Sequence, residues 1–145
     1  MKKVFIIYLT LLFFSCTKES KEQLLLERID GIVWTRGTNF MTLQSNPFKL
    51  VLVEDGVCID YTEELKLVRG NEIKYTILKN GADTLKLGLR ATGENINHCG
   101  TFSYYFDADD KLFRSYKECD SFYPESYTLS FYEADQSIDI LCPDL

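Results

Sequence analysis

From Gly31 to the C-terminus, apolar and polar residues alternate with a period of two, and turn-forming residues interrupt the alternation about every 8–12 residues. This pattern predicts half-buried β-strands, and the short connections require neighbouring strands to be antiparallel. We therefore expect an all-β fold, an antiparallel meander of about 8–10 strands that forms a closed or nearly closed barrel. A two-sheet β-sandwich is the alternative. The predicted strands are Gly31–Arg36, Lys49–Val53, Val57–Tyr61, Glu64–Arg69, Ile73–Leu78, Thr84–Arg90, Thr101–Asp107, Lys111–Lys117, Tyr127–Tyr132 and Ser137–Cys142.

One hairpin can be registered residue by residue. Placing Asp107 opposite Lys111, with residues 108–110 as the loop, sorts the apolar side chains onto one face. The pairs on that face are Phe106–Leu112, Tyr104–Arg114 and Phe102–Tyr116. On the other face the same register brings Cys99 opposite Cys119. The sequence therefore predicts a disulfide across this hairpin.

A second hairpin is predicted at the C-terminus, where Tyr127–Tyr132 would pair with Ser137–Cys142. Four cysteines follow Cys16, and an even number in an exported domain indicates two disulfides with three possible connectivities. Elimination then pairs Cys58 with Cys142. Cys58 points away from the apolar face of its own strand, however, so this second pairing depends on the first.

The N-terminus has the layout of a secretory signal. Two lysines, Lys2 and Lys3, precede eleven uncharged, mostly apolar residues (4–14), which are too few to cross a hydrocarbon core of about 30 Å. Residues 13–16, Phe-Phe-Ser-Cys, resemble the lipobox of bacterial lipoproteins. The resemblance implies cleavage before Cys16 and acylation of that cysteine, which would anchor the protein in a membrane. The alternative is an ordinary signal followed by an unacylated cysteine.

These observations divide the chain into a lipoprotein signal peptide (1–15), an acylated tether with a short helix (16–29) and a β domain (30–145). Thr17, rather than an aspartate, follows the cysteine. By resemblance to enteric lipoproteins, this implies transfer to the outer membrane, with the domain either in the periplasm or exposed at the surface.

Charge narrows the possible partners. Removal of the signal changes the net charge from −6 to −8, because 14 basic residues then face 22 acidic ones. Such a chain is not expected to bind nucleic acid, which needs lysine and arginine against phosphate. A basic envelope protein is a possible partner, and we expect a monomer.

No motif indicates catalysis, a metal site or a cofactor. His98 is the only histidine, and we expect it to be a turn residue ahead of Gly100. Asp107, Asp109 and Glu118 match three positions of a calcium-binding loop, but Leu112 occupies the position of its essential glycine, so we expect a hairpin turn there. A non-enzymatic protein is therefore expected.

Aromatic residues are abundant, with one Trp, ten Phe and nine Tyr. Most suit strands and core, but Phe122 and Tyr123 lie in a connection and are candidates for contact with a ligand or partner. A loop folded back to close the barrel is the alternative for them. Residues 31–34, Gly-Ile-Val-Trp, together with the signal and the meander, resemble lipocalin-like bacterial lipoproteins. The resemblance implies a small apolar pocket with Trp34 closing one end of the barrel.

The expected function is that of a membrane-anchored binding module for a small apolar ligand or an envelope component. The alternative is an acidic interaction protein, of the inhibitor or immunity type, that binds a basic protein. A cavity of a few hundred Å³ inside the barrel would favour the first possibility. A filled barrel with an acidic or aromatic patch would favour the second.

Overall fold

The computed structural model describes residues 22–120 and 127–145. These residues form ten strands and two short helices. In chain order they are α1 (Leu25–Arg28), β1 (Val33–Arg36), β2 (Asn39–Ser45), β3 (Phe48–Glu54), β4 (Val57–Tyr61), β5 (Lys66–Val68), β6 (Asn71–Asn80), β7 (Leu85–Gly93), β8 (Ile96–Phe106), β9 (Leu112–Glu118), β10 (Tyr127–Glu133) and α2 (Ile138–Leu141).

All ten strands belong to one antiparallel sheet with the order β4-β3-β2-β1-β10-β9-β8-β7-β6-β5. The sheet curls into a nearly closed barrel, which confirms the predicted fold class and excludes the sandwich. The edge strands β4 and β5 are consecutive in the chain and face each other across a seam. Side chains bridge this seam at two places: Lys66 contacts Asp60, and the rings of Tyr61 and Tyr75 lie 5.0 Å apart.

Two-residue turns set the register of two hairpins. Asp55 and Gly56 join β3 to β4 with φ angles of 50° and 75°, and Arg69 and Gly70 join β5 to β6 with 50° and 80°. Two successive residues with positive φ form the type I′ turn, whose twist matches that of the flanking strands. Asp-Gly is a favoured sequence for this turn, which is why the β3–β4 hairpin could be recognised from the sequence.

The barrel has two unlike ends. At one end, which we call the helix end, α1 inserts its apolar side chains into the core, and Leu25 and Ile29 are fully buried. The backbone amide of Leu25 donates to the carbonyl of Gly81 at 2.7 Å, so α1 is held against the β6–β7 loop. The opposite end, which we call the far end, carries the β1–β2, β3–β4, β5–β6 and β7–β8 turns. Among the described residues no helix is long and apolar enough to span a membrane.

The C-terminal segment covers one outer side of the barrel. Val51 and Val53 of β3 point outward and are still only 2% and 4% exposed, because Ile138 and Leu141 of α2 pack over them. The Cys58–Cys142 disulfide fixes this segment to β4. We call the outward side chains of β2–β4 beneath this segment the covered face. The outward direction of Cys58 is thereby explained, because its partner lies outside the barrel.

The hairpin registered from the sequence is confirmed. Phe106 lies opposite Leu112 and Phe102 opposite Tyr116, and the Cys99–Cys119 disulfide joins the two strands. The loop is a hairpin turn in which the Asp107 carboxylate accepts hydrogen bonds from the backbone amides of residues 109 and 111, both at 2.9 Å.

The predicted C-terminal hairpin is wrong. Residues 138–141 form α2, and β10 pairs with β9 and β1 instead. Ile138 and Leu141 are three residues apart and face the covered face together, whereas Ile140 is 73% exposed. Helical spacing, not alternation, therefore fits these side chains.

Two further differences from the sequence predictions concern β2 and His98. The strand β2 was not predicted. His98 was expected in a turn, but it lies within β8.

Candidate functional site

Side chains fill most of the inside of the barrel, and a pocket of about 250 Å³ remains near the far end, between Ile59 of β4 and Val68 and Ile73 of β5 and β6. Large residues from every side interlock in the rest of the interior, and Leu85, Leu87, Tyr104 and Leu112 are fully buried. Trp34 belongs to this core. It is 3% exposed, and its ring centroid lies 5.7 Å from that of Phe106, near the helix end. Trp34 is therefore a packing residue of the interior, close to the end that α1 closes.

One cation lies among the inward-facing side chains. The guanidinium group of Arg114 lies between the rings of Phe102 and Phe131, 5.1 Å from each centroid. Its Nε atom and the hydroxyl of Tyr104 are buried without a hydrogen-bonding partner among the described residues. Burial raises the pKa of Tyr104, and the nearby Arg114 cation opposes this effect. The phenol is therefore neutral at physiological pH.

The cavity beside Arg114 is small. It has a volume of about 30 Å³ and is lined on one side by Met41, Leu52 and Leu129. A volume of this size holds about one water molecule, whereas pockets for small organic ligands measure roughly 300–1,000 Å³. An apolar ligand would have to displace the aromatic core to enter this space.

A group of aromatic and charged side chains lies at the far end, on β8, β9 and β10. The ring of Tyr116 stacks on Tyr127 with centroids 5.3 Å apart, and on His98 at 5.6 Å. The Tyr116 hydroxyl contacts His98 Nε2, and His98 Nδ1 lies 3.4 Å from a carboxylate oxygen of Glu118. We call these four residues the rim cluster. Tyr127 is 41% exposed and the side chain of Glu118 is 56% exposed, so the cluster reaches solvent.

A glycine permits this stacking. A Cβ atom at Gly100 would overlap the ring and hydroxyl of Tyr116, which lies directly over the backbone there. Any larger residue at position 100 would therefore displace Tyr116 and disrupt the cluster. Gly100 also lies opposite Glu118 in the β8–β9 ladder, which places the carboxylate beside the ring.

The rim cluster is suited to binding, not to nucleophilic catalysis. His98 lies between two polar partners, since its Nε2 contacts the Tyr116 hydroxyl and its Nδ1 lies 3.4 Å from a Glu118 carboxylate oxygen. Burial, the Glu118 carboxylate and Tyr127 all raise the pKa of Tyr116. Its hydroxyl is therefore less readily ionised than a free phenol, the opposite of what an activated nucleophile requires.

Acidic residues surround the cluster at the same end of the barrel. The exposed carboxylates in the far-end turns and strand ends are Glu54, Asp55, Glu94, Glu118 and Asp120. Two exposed cations, Arg36 and Arg69, lie among them. A groove of about 420 Å³ runs between the β5–β6 and β7–β8 turns and is lined by Asn71, Glu94 and Ile96. The far end thus combines exposed aromatic rings, a groove and an excess of negative charge.

Three residues singled out from the sequence lie outside the described residues: Cys16, Phe122 and Tyr123. Their expected roles stay predictions. The four cysteines assigned to disulfides, Cys58, Cys99, Cys119 and Cys142, are paired as expected.

The rim cluster was not recognised from the sequence, although a signal for it was present. The register that paired Phe102 with Tyr116 also places Gly100 opposite Glu118, and His98 follows on the same face. Extending the predicted pairing of β8 with β9 by two residues would have brought His98, Tyr116 and Glu118 together.

In the part of the chain that the structure describes, no three His, Cys, Asp or Glu side chains are grouped so that they could hold a metal ion. No model of a known protein family matches the chain, and neither the curated proteins nor the solved structures include a significant match.

Proposed function

We propose that this protein is a membrane-anchored, non-enzymatic interaction protein of the cell envelope that binds a basic protein at the far end of its barrel. The observation that carries the proposal is the rim cluster, which brings exposed aromatic and charged side chains together at the far end. The cavity beside Arg114 measures about 30 Å³, and the pocket between β4 and β5 measures about 250 Å³. Both volumes lie below the roughly 300–1,000 Å³ of pockets for small organic ligands, which favours a partner at the surface over a small apolar ligand inside the barrel. The barrel then serves as a rigid support for the rim.

The chemistry of the rim fits a lysine- or arginine-rich surface. Exposed aromatic rings contribute contact area and cation–π attraction, and carboxylates beside them pair with basic groups. Tyr127 and Tyr116 offer stacked ring faces, with Glu118 next to them. The acidic residues of the surrounding turns would accelerate the approach of a basic partner.

The position of α1 supports the proposal that the far end binds the partner, because α1 lies at the other end of the barrel. Acylation of Cys16 would hold the chain at a membrane, and α1, which follows Cys16 in the chain, packs at the helix end of the barrel. The far end lies on the opposite side of the barrel. A partner could therefore bind the rim cluster without competing with the anchor.

Crosslinking in the native envelope tests the proposed partner. A photoreactive amino acid at Asn95, in the far-end β7–β8 turn, should form an adduct with a basic protein. The same probe at Tyr132, on the other half of β10, is the matched control and should form none. Tyr127→Ala should reduce the affinity by about 30-fold if Tyr127 is a central contact. Adducts at Tyr132 alone, or adducts at Asn95 that Tyr127→Ala leaves unchanged, would contradict the proposal.

Native mass spectrometry separates this proposal from the apolar-ligand alternative. The protein is purified from its own envelope under mild conditions and its intact mass is measured. A stoichiometric small apolar molecule, retained by the wild type and by Tyr127→Ala alike, would favour a ligand inside the barrel. The expected result is the mass of the acylated chain with no further small molecule, or the mass of its complex with a basic protein.

The anchor has its own test. Cys16→Ala should leave an unacylated protein, and globomycin should cause the uncleaved precursor to accumulate. Mass spectrometry of the wild type should detect acyl chains on Cys16. An unmodified Cys16 in a protein that stays soluble after detergent-free lysis would refute the lipoprotein proposal, and sucrose-gradient fractionation tests the expected outer-membrane location.

A further inference from the structure

The outward side of β6–β9 differs in charge from the rest of this acidic protein. Five exposed cations lie on it, and we call this surface the basic face: Lys74, Lys79, Lys86, Arg90 and Lys117. They are five of the twelve lysine and arginine residues in the described part of the chain. Glu72 is the one carboxylate at an outward position of β6 and β7, and it accepts a hydrogen bond from Thr92.

The register places like charges directly opposite each other. Lys74 lies opposite Arg90 and Lys79 opposite Lys86 in the β6–β7 ladder. Directly opposed like charges destabilise a sheet by a few tenths of a kcal/mol or more. Within residues 22–120 and 127–145, none of these four lies within ion-pair distance of a carboxylate. Their arrangement therefore does nothing for the stability of the fold, and an anion from outside would relieve the repulsion.

The surface between the cations is apolar. Leu78 is the extra residue of a β-bulge in β6, is 58% exposed and lies over Gly88. A shallow groove of about 430 Å³ beside it has Thr76 and the Cys99–Cys119 disulfide in its lining. On the neighbouring β5, Leu67 is 70% exposed. Exposed leucines among lysines and arginines are typical of surfaces that rest in the headgroup region of a bilayer.

The N-terminal segment reaches the barrel beside this face. The amide of Leu26 donates to the side chain of Asn80, and Arg28 donates to the carbonyl of Ala82. Lys79 and Lys86 flank the same loop. Residues 26–28 therefore lie next to the basic face. The nine residues from Cys16 to Leu25 span at most about 30 Å, so an anchored barrel would stay within about that distance of the bilayer surface.

We infer that the basic face binds the surface of an anionic phospholipid bilayer. Electrostatic attraction acts locally, because charges more than about 8 Å apart are screened at physiological ionic strength. The acidic residues of the two barrel ends therefore do not cancel it. With β6 and β7 against the bilayer, the barrel lies on its side and the rim cluster faces sideways. The inference concerns a different surface from the proposed binding end, and only the closeness of the barrel to the bilayer rests on the proposed anchor.

Vesicle sedimentation tests the inference without the anchor. The chain from Cys16 to Leu145, carrying Cys16→Ser, is mixed with vesicles of phosphatidylcholine alone or with added phosphatidylglycerol. It should bind the anionic vesicles and not the neutral ones, and added salt should release it. Each cation near such a surface contributes about fivefold, so Lys74→Ser/Arg90→Ser should bind roughly 25-fold more weakly. Leu78→Ser should weaken binding further.

A charge-matched variant is the control. Lys49→Ser/Lys111→Ser removes the same charge from residues off the basic face, each near an aspartate, and should bind almost as well as the parent chain. Circular dichroism checks that each variant keeps its sheet. Equal losses in the two double variants, equal binding to neutral vesicles, or binding to heparin with none to anionic vesicles would each overturn the inference. The last result would assign the face to a soluble polyanion.

Discussion

The covered face and the basic face are outer surfaces of the same sheet, yet they are built in opposite ways. On the covered face, Val51 and Val53 point away from the barrel and are buried beneath α2. On the basic face, the equivalent outward positions carry lysine and arginine and remain exposed, as at Lys74 and Arg90. Each face has a disulfide, but Cys58–Cys142 joins distant parts of the chain, whereas Cys99–Cys119 joins adjacent strands.

This difference shows that the polarity of a barrel's outward residues indicates what covers them. An outward valine exposed to water would lose the roughly 2 kcal/mol that its burial contributes, so an apolar outward row indicates a cover. In this chain the C-terminal segment is that cover. An outward row of cations indicates contact with water or with a charged surface. The two faces therefore predict different responses to mutation.

The largest effect is expected from Cys58→Ser/Cys142→Ser. This disulfide spans 84 residues, so its loss should cost about 4–5 kcal/mol in the chain-entropy model. The C-terminal segment should also detach, exposing Val51 and Val53 to an apolar dye such as ANS. Chemical denaturation measures the free energy of unfolding, and dye fluorescence reports the detachment. A low cost without dye binding would mean that packing alone holds α2.

A smaller effect is expected from Cys99→Ser/Cys119→Ser. Here the closed loop spans 20 residues, which corresponds to about 3 kcal/mol. The sheet should persist and ANS fluorescence should not increase, because none of the described residues packs over this disulfide as α2 packs over the covered face. A melting temperature below that of the other double variant would show that loop length does not govern the two disulfides.

A matched pair of single substitutions compares packing on the two faces. Val53→Ala should cost about 2 kcal/mol, because it removes buried apolar atoms and leaves a cavity under α2. Leu78→Ala removes an exposed side chain from the basic face and should cost no more than about 0.5 kcal/mol. Equilibrium unfolding in urea measures both values. Equal costs would mean that the covered face is not a second core.

The smallest effect is a stabilisation. Lys74→Thr removes the repulsion from Arg90 and suits a strand, so it should raise the free energy of unfolding by a few tenths of a kcal/mol at low salt. The gain should shrink as salt is added, because exposed charges are screened. Lys49→Thr is the control and should not stabilise, since Lys49 lies 4.0 Å from the Asp60 carboxylate. A loss of stability in Lys74→Thr would show that its charge is already compensated.

The sequence predicted the elements whose two faces differ in polarity. In β8, buried Phe102 and Tyr104 alternate with polar residues, and the register of the β8–β9 hairpin could be worked out residue by residue. The strand β2 escaped prediction because Met41 faces the core while its neighbours Phe40 and Thr42 lie on the outward side by the covered face. A strand buried on both faces lacks alternation.

The remaining errors concern tertiary context. Residues 138–141 alternate in polarity as a strand would, and only the covered face beneath them favours the spacing of Ile138 and Leu141. The local sequence could not specify that surface. The predicted hairpin placed Arg114 opposite Tyr104. The position of Arg114 between Phe102 and Phe131 depends on β10 as well. No local sequence pattern relates β10 to Arg114.

The first and last strands meet in the middle of the sheet, and this has a consequence for how the barrel assembles. In the described residues, β1 and β10 are registered through two residue pairs, Trp34 with Glu133 and Thr35 with Tyr132. The strands β1–β4 form one continuous ladder and β5–β10 another. The two ladders cannot join until the last strand has been synthesised, so a growing chain exposes an unpaired edge until then. Consider a circular permutant in which the natural ends are linked and new ends lie between residues 62 and 65. It would keep every ladder intact. Each of its strands could pair with the preceding strand as it is synthesised, so the joining of the two ladders would not have to wait for the last strand.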